Sequence, residues 1–334
     1  MGLLMTQQPK SFKFSDEVES RLRNSNNKFI VTGGSGWIGR ATIAMLLDSL
    51  GESFHERTEV FTSDGRTLRI GSQLVETRPL KTIAAYKAKN AYLVHLAFLT
   101  KEIANELLID DYISKNLAIS DLVTSFIKNN EIIGAFIPSS GAVYKTNGDL
   151  EDNVQNNPYG YLKLQDEQRF FGLDIDKSRM AQIRVFNLAG PFMNKVRNYA
   201  LGSIISDIYS GGPIRLTSNK PVLRSYVHVL DLLELSFQIM LGITQGPSVP
   251  FDTATEQIIE IGLLAEKCRS ILQVYGIEII RSEFDPALKT DNYVGSNTTF
   301  LTLAARAGIN LATIEQQIFD TASWISSTTP KRAG

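Results

Sequence analysis

Apolar residues fall along this chain in short runs that alternate with helical spacings. Phe29-Ile30-Val31 is a brief β-rich run. Behind it, Ile43, Ala44, Leu46, Leu47 and Leu50 recur at intervals that predict a helix over 40–50. Strands are expected at 59–62, 91–96, 134–138 and 181–186, with helices at 111–128 and 159–172. Strands alternating with helices imply an α/β fold: a doubly wound parallel sheet of Rossmann type, covered on both faces.

Past Gly190 the alternation loosens. Gly211-Gly212-Pro213 interrupts the next stretch, and residues 255–330 read as helices around one or two short strands. Residues 226–237 read as a return to the sheet layer. The expected organisation is a Rossmann domain from 28–190 plus 225–254, with a smaller discontinuous substrate lobe from 191–224 plus 255–325. Residues 1–27 form a polar N-terminal extension with one helix capped by Ser15, and 326–334 a tail.

The chain has 334 residues, 43% apolar and 21% charged, ordinary globular usage. Its 34 Lys+Arg and 35 Asp+Glu leave a net charge of −1 without a basic block, so no nucleic-acid partner is expected. Cys268 is the only cysteine, and His55, His95 and His228 match no metal-ligand spacing; neither a disulfide nor a metal site is expected. No apolar run approaches the ~20 residues of a membrane span. Residues 1–6 (MGLLMT) fit a loose myristoylation pattern without a second anchor. Asn297-Thr298-Thr299 is a formal glycosylation sequon without a signal peptide. The expectation is a cytoplasmic protein with no membrane partner.

Chemistry enters at Gly33-Gly34-Ser35-Gly36-Trp37-Ile38-Gly39, between the first strand and the first helix. Glycines there permit a tight turn, close approach to a pyrophosphate and close helix packing, while the helix start offers free N–H groups. The loop predicts a bound dinucleotide. At the end of the second strand, Asp64 suits an adenosine ribose 2′-hydroxyl, whereas Ser63 with Arg66 suits a 2′-phosphate. NAD and NADP both remain open.

Tyr159 and Lys163 lie four apart on one face of a predicted helix. A nearby ammonium stabilises a phenolate and makes tyrosine a usable acid/base. Nineteen residues before Tyr159, Ser140 follows Ser139 at the end of a predicted strand, where parallel sheets place ligands.

These blocks resemble the extended short-chain dehydrogenase/reductase family, in its NAD-dependent nucleotide-sugar epimerase/dehydratase branch. The resemblance spans about 28–325 and rests on the order of TGGSGWIG (32–39), LVHLAF (93–98), SSGAVY (139–144), PYGYLK (158–163), RVFNLAGP (184–191), RSYVHVLD (224–231) and FDTATE (251–256). It implies a catalytic triad of Ser140, Tyr159 and Lys163, with Ser139 beside the substrate. It implies cofactor contacts at Leu96, Ala97, Asn116, Tyr159 and Lys163, and substrate-diphosphate contacts at Asn187 and Arg224. Departures are Gly141-Ala142 where 4,6-dehydratases carry Asp-Glu, Phe98 where a small residue is usual, Lys145 for glycine, and Ser225 for a frequent Asp.

The resemblance implies an NAD(P)-dependent nucleotide-sugar epimerase, acting at C4 through a transient keto sugar, and a homodimer formed by sheet-flanking helices. The alternative is an NADPH-dependent reductase of nucleotide 4-keto sugars or other carbonyls. A dinucleotide-sensing protein without chemistry is less favoured, because Tyr159 and Lys163 are both present. The 4,6-dehydratase reaction is disfavoured.

Overall fold

The computed structural model describes residues 8–281 and 283–328. Seven parallel strands form the main sheet in the order Phe251–Asp252, Met180–Val185, Ile132–Ser140, Ala91–His95, Lys28–Thr32, Thr58–Thr62 and Arg78–Pro79. Buried runs such as Phe29-Ile30-Val31 and Tyr92-Leu93-Val94 suit strands covered on both faces. Chain order reverses between Lys28–Thr32 and Ala91–His95. A ligand crevice opens at such a reversal, beyond the carboxyl ends of the strands.

Helices Trp37–Leu50 and Val229–Met240 lie on one face of the sheet, and Ile109–Lys128 and Pro158–Phe171 on the other. The outward positions Ser114, Lys115, Asp121, Gln165 and Gln168 of the second pair are exposed and polar. The N-terminal helix Asp16–Arg23 is capped by Ser15, whose hydroxyl accepts from Val18 N. Phe14, Val18 and Leu22, spaced four apart, are fully buried against the first helix pair. This extension is therefore part of the core, because one apolar stripe suffices to anchor an otherwise polar helix.

The second lobe has its own apolar core and a small sheet centred on Val222–His228. That strand pairs with Ile258–Glu260, Asp291–Tyr293 and Asn187–Ala189. Residues 226–228 thus belong to the small sheet, a correction to the expected return at 226–237. Helix Val229–Met240 covers the main sheet, and the chain rejoins that sheet only at Phe251–Asp252. Helix Ile314–Thr328 includes the start of the expected tail; the myristoylation pattern lies outside the described residues. No helix among the described residues is long and apolar enough to cross a membrane.

Candidate active site

The glycine loop sits at the reversal of strand order. Gly33 has φ +71°, and a Cβ there would lie 2.6 Å from the Ala97 backbone nitrogen. A Cβ on Gly39 would lie 2.4 Å from the Gly33 carbonyl oxygen, so only glycine lets the helix press onto its own loop. Gly34 approaches Val60 equally closely. Helix Trp37–Leu50 starts at Gly36 with no side-chain cap and no acid in its first turn. Its first N–H groups are thus left to an anion. The Ser35 carbonyl accepts from Arg40 Nε at 3.2 Å. Ile38 packs on the core. The Trp37 indole donates to Pro191 O at 2.6 Å and meets Tyr199 edge-on, tying this helix to the second lobe. The cradle fits a pyrophosphate.

The neighbouring strand end is held by Thr32, whose hydroxyl contacts His95 Nδ1 at 2.7 Å and accepts from Leu96 N and Ala97 N. Burial pushes the His95 imidazole down to about 3, so it stays neutral. Asn116 is buried; its Oδ1 accepts from Leu99 N at 2.8 Å, which fixes the loop after Ala97. Ser63, Asp64 and Arg66 are exposed at the end of Thr58–Thr62. Asp64 and Arg66 pair with each other, and the hydrogen bonds from Arg66 hold the carboxyl below its ordinary range.

Helix Pro158–Phe171 begins with proline at its first position, capped by Asn157, whose Oδ1 accepts from Gly160 N at 3.0 Å. Asn157 Nδ2 donates to Ala142 O at 2.9 Å. A Cβ on Gly160 would sit 2.0 Å from that oxygen, so the helix start presses against the turn following Ser140. Tyr159 is thereby brought near Ser140, whose hydroxyl favours the ionised phenol. Burial raises the Tyr159 pKa, with Ser140 opposing, so the phenol is protonated at neutral pH. Lys163 Nζ donates to Pro138 O at 3.2 Å. Burial lowers the ammonium pKa to about 8, opposed by Asp166 and Glu167. Ser139, one residue along the strand, points to the other side and lines a small cavity behind Lys163.

The second lobe contributes a residue that the sequence did not single out. Tyr293, on the edge of the small sheet, brings its hydroxyl to 3.3 Å from Ser140 Oγ. Its ring packs on Phe186 with centroids 4.9 Å apart. Asn187 Nδ2 donates to Ser225 O at 3.0 Å and to Tyr293 O at 3.4 Å. Arg224 lies over the Tyr293 ring and pairs with Asp291 at 3.1 Å. Nothing in the pattern around Tyr293 marks it, since its strand is three residues long in a polar stretch. Phe98, visible as a departure, meets both Tyr159 and Lys163.

Fold and site define a Rossmann-type dinucleotide-binding protein. Residues 29–250 match the model of the NAD dependent epimerase/dehydratase family, and the chain belongs to that family. It is an extended short-chain dehydrogenase/reductase whose cofactor is NAD or NADP. No curated protein matches the chain. Among solved structures, it is similar to a UDP-N-acetylglucosamine 4-epimerase from Methanobrevibacter ruminantium M1 in complex with UDP-N-acetylmuramic acid (18% identity, TM-score 0.67, covering 91% of this chain and 99% of that one). It is also similar to a UDP-glucose 4-epimerase with UDP-glucose from Thermotoga maritima (17%, TM-score 0.65, 90% and 99%). A third likeness is to TunA, an NAD-dependent NDP-hexosamine 5,6-dehydratase of tunicamycin biosynthesis (15%, TM-score 0.66, 91% and 99%). At these identities the structural likeness speaks for the fold.

Proposed function

We propose that the protein is a nucleotide-sugar epimerase acting at C4, with Ser140, Tyr159 and Lys163 as its catalytic groups. The observation that carries this reading is the packing of the helix start bearing Tyr159 and Lys163 onto the turn that follows Ser140, with both side chains meeting the Phe98 ring, at the reversal of the sheet. A nicotinamide held at this site would supply the hydride acceptor and donor. Ser140 orients the sugar hydroxyl, and Tyr159, reacting as the phenolate that the Lys163 ammonium favours, takes its proton as the C4–H hydride leaves, giving a keto sugar. After the sugar turns over, Tyr159 returns the proton to the carbonyl oxygen as hydride adds to the other face. The Lys163 ammonium favours the phenolate that burial otherwise disfavours.

Gly33, Gly34, Ser35, Gly36, Ile38 and Gly39 hold the pyrophosphate, Leu96, Ala97 and the Asn116-supported loop flank the nicotinamide end, and Asp64 or Ser63 with Arg66 meets the adenosine ribose. Asn187 and Arg224 serve the substrate diphosphate, a role supported by their joint contact with Tyr293, which itself reaches Ser140. A 4,6-elimination needs a positioned acid and base. Ala142 cannot serve, and any side chain at Gly141 would meet the Phe186 ring at 2.4 Å.

The test is incubation with UDP-hexose or UDP-N-acetylhexosamine and catalytic NAD, with the sugar followed by proton NMR. Conversion between C4 epimers supports the proposal. Stoichiometric NADPH oxidation by a keto sugar, without epimer exchange, overturns it in favour of the reductase.

A further inference from the structure

Behind Lys163 lies a small cavity of about 10 Å³ whose lining includes His95, Ser139, Lys163, Asp166, Glu167 and Gln182, beside Ile137 and Pro138. Most of its lining side chains are polar, and two wall atoms, Ser139 Oγ and Gln182 Oε1, are buried without a hydrogen-bond partner among the described residues. One water needs roughly 10–15 Å³ of room for its centre and two to four polar partners. The cavity has the room for one water and the unpaired groups to hold it.

The charges around it are unequally committed. Glu167 is taken by Arg184, with contacts of 2.8 and 2.7 Å. His95 is neutral and bonded to Thr32. Arg169 pairs with Asp121 at the surface. Asp166 is buried, and among the described residues its Oδ1 accepts only a neutral hydroxyl, that of Ser120 at 2.6 Å. On its other sides Lys163 meets Pro138 O, the Phe98 ring and Tyr159's own helix. Asp166 is therefore the carboxylate left to balance the Lys163 ammonium.

We propose that Asp166 is a positioning residue which, across a chamber holding one water on Ser139 and Gln182, keeps Lys163 charged and aimed at the Tyr159 side. Asp166 lies three residues beyond Lys163 and seven beyond Tyr159, so one stripe of the helix carries the whole set. Ser139 and Gln182 act here through the water, Ser139 having no part in binding sugar. Burial lowers the Lys163 pKa, and Asp166 is the first group opposing it, Glu167 the second; burial also raises the Asp166 pKa, with Lys163 the first group opposing.

The inference rests on the acid–base reading above, so its test includes a readout independent of turnover. In the full chain with selectively labelled lysine methyleneε carbons, the Lys163 signal is assigned by its loss in Lys163→Arg and titrated by NMR. Asp166→Asn is expected to lower the Lys163 pKa by about one unit or more. It should move the alkaline limb of kcat/KM down in parallel, and Asp166→Glu should restore both. Should Asp166→Asn fail to fold, Ser139→Val fills the chamber, expels the water and is expected to lower the same pKa. An unmoved Lys163 titration in either folded variant overturns the proposal. Wild-type activity that survives Tyr159→Phe defeats the acid–base reading instead, and leaves the titration to decide Asp166.

Discussion

The Lys163 ammonium lies 4.0 Å from the centre of the Phe98 ring, and Tyr159 meets the same ring edge-on at 5.7 Å. Phe98 thus shields both titrating groups of the site from water while its ring face attracts the cation. Burial is the main cause of the lowered Lys163 pKa. Phe98→Ala should therefore admit water and move that pKa from about 8 toward its ordinary 10.5, the opposite sense to Asp166→Asn. The pH profile of kcat/KM reads this as an alkaline limb displaced upward; Phe98→Leu, which keeps the site covered, should leave it near its wild-type position.

Tyr159→Phe removes the proton carrier and keeps the ring. Turnover should fall by about 10²–10⁴. Dinucleotide affinity, measured by calorimetry, should stay within a few-fold of wild type, because the glycine loop does not touch Tyr159. Loss of binding together with turnover would count against an acid/base role.

Gly39→Ala would force a Cβ to 2.4 Å from the Gly33 oxygen and 2.8 Å from Gly34 Cα, both backbone atoms that cannot swing aside. Lifting the helix from its loop should cost about 1–3 kcal/mol of stability. Dinucleotide binding should weaken by roughly tenfold or more, as 1.4 kcal/mol of misplacement suffices for that factor. Thermal denaturation with and without NAD measures both effects.

Glu167→Gln leaves the Arg184 guanidinium buried with its main counter-charge removed. The pair bridges helix Pro158–Phe171 to strand Met180–Val185, with side chains only 4% and 12% exposed. Removing one partner of a buried pair should destabilise by about 3–5 kcal/mol, seen as a lower denaturation midpoint in urea.

Most of the architecture was legible in the residue pattern. The run Phe29-Ile30-Val31, the glycines that follow and the spacing from Ile43 to Leu50 locate the strand, loop and helix of the cofactor site, because each depends on neighbours in sequence. Tyr159 and Lys163 were legible for the same reason: four residues along a helix put them on one face. The pattern understated Phe14, Val18 and Leu22, three apolar residues in a polar segment. It also put the return to the main sheet at 226–237 instead of at Phe251–Asp252, since a buried strand reads alike in either sheet.

What the chain alone determined, then, is the order of strands and helices, the phosphate cradle and the tyrosine–lysine pair, all products of local spacing and steric need. Tertiary structure decided which carboxylate of Asp166-Glu167 remains for Lys163 once Arg184 has taken the other. It also brought Tyr293 to Ser140 across 153 residues. Each of these depends on which side of a strand or helix faces which neighbour, and on charges that meet only when the sheet, its helices and the second lobe are packed together.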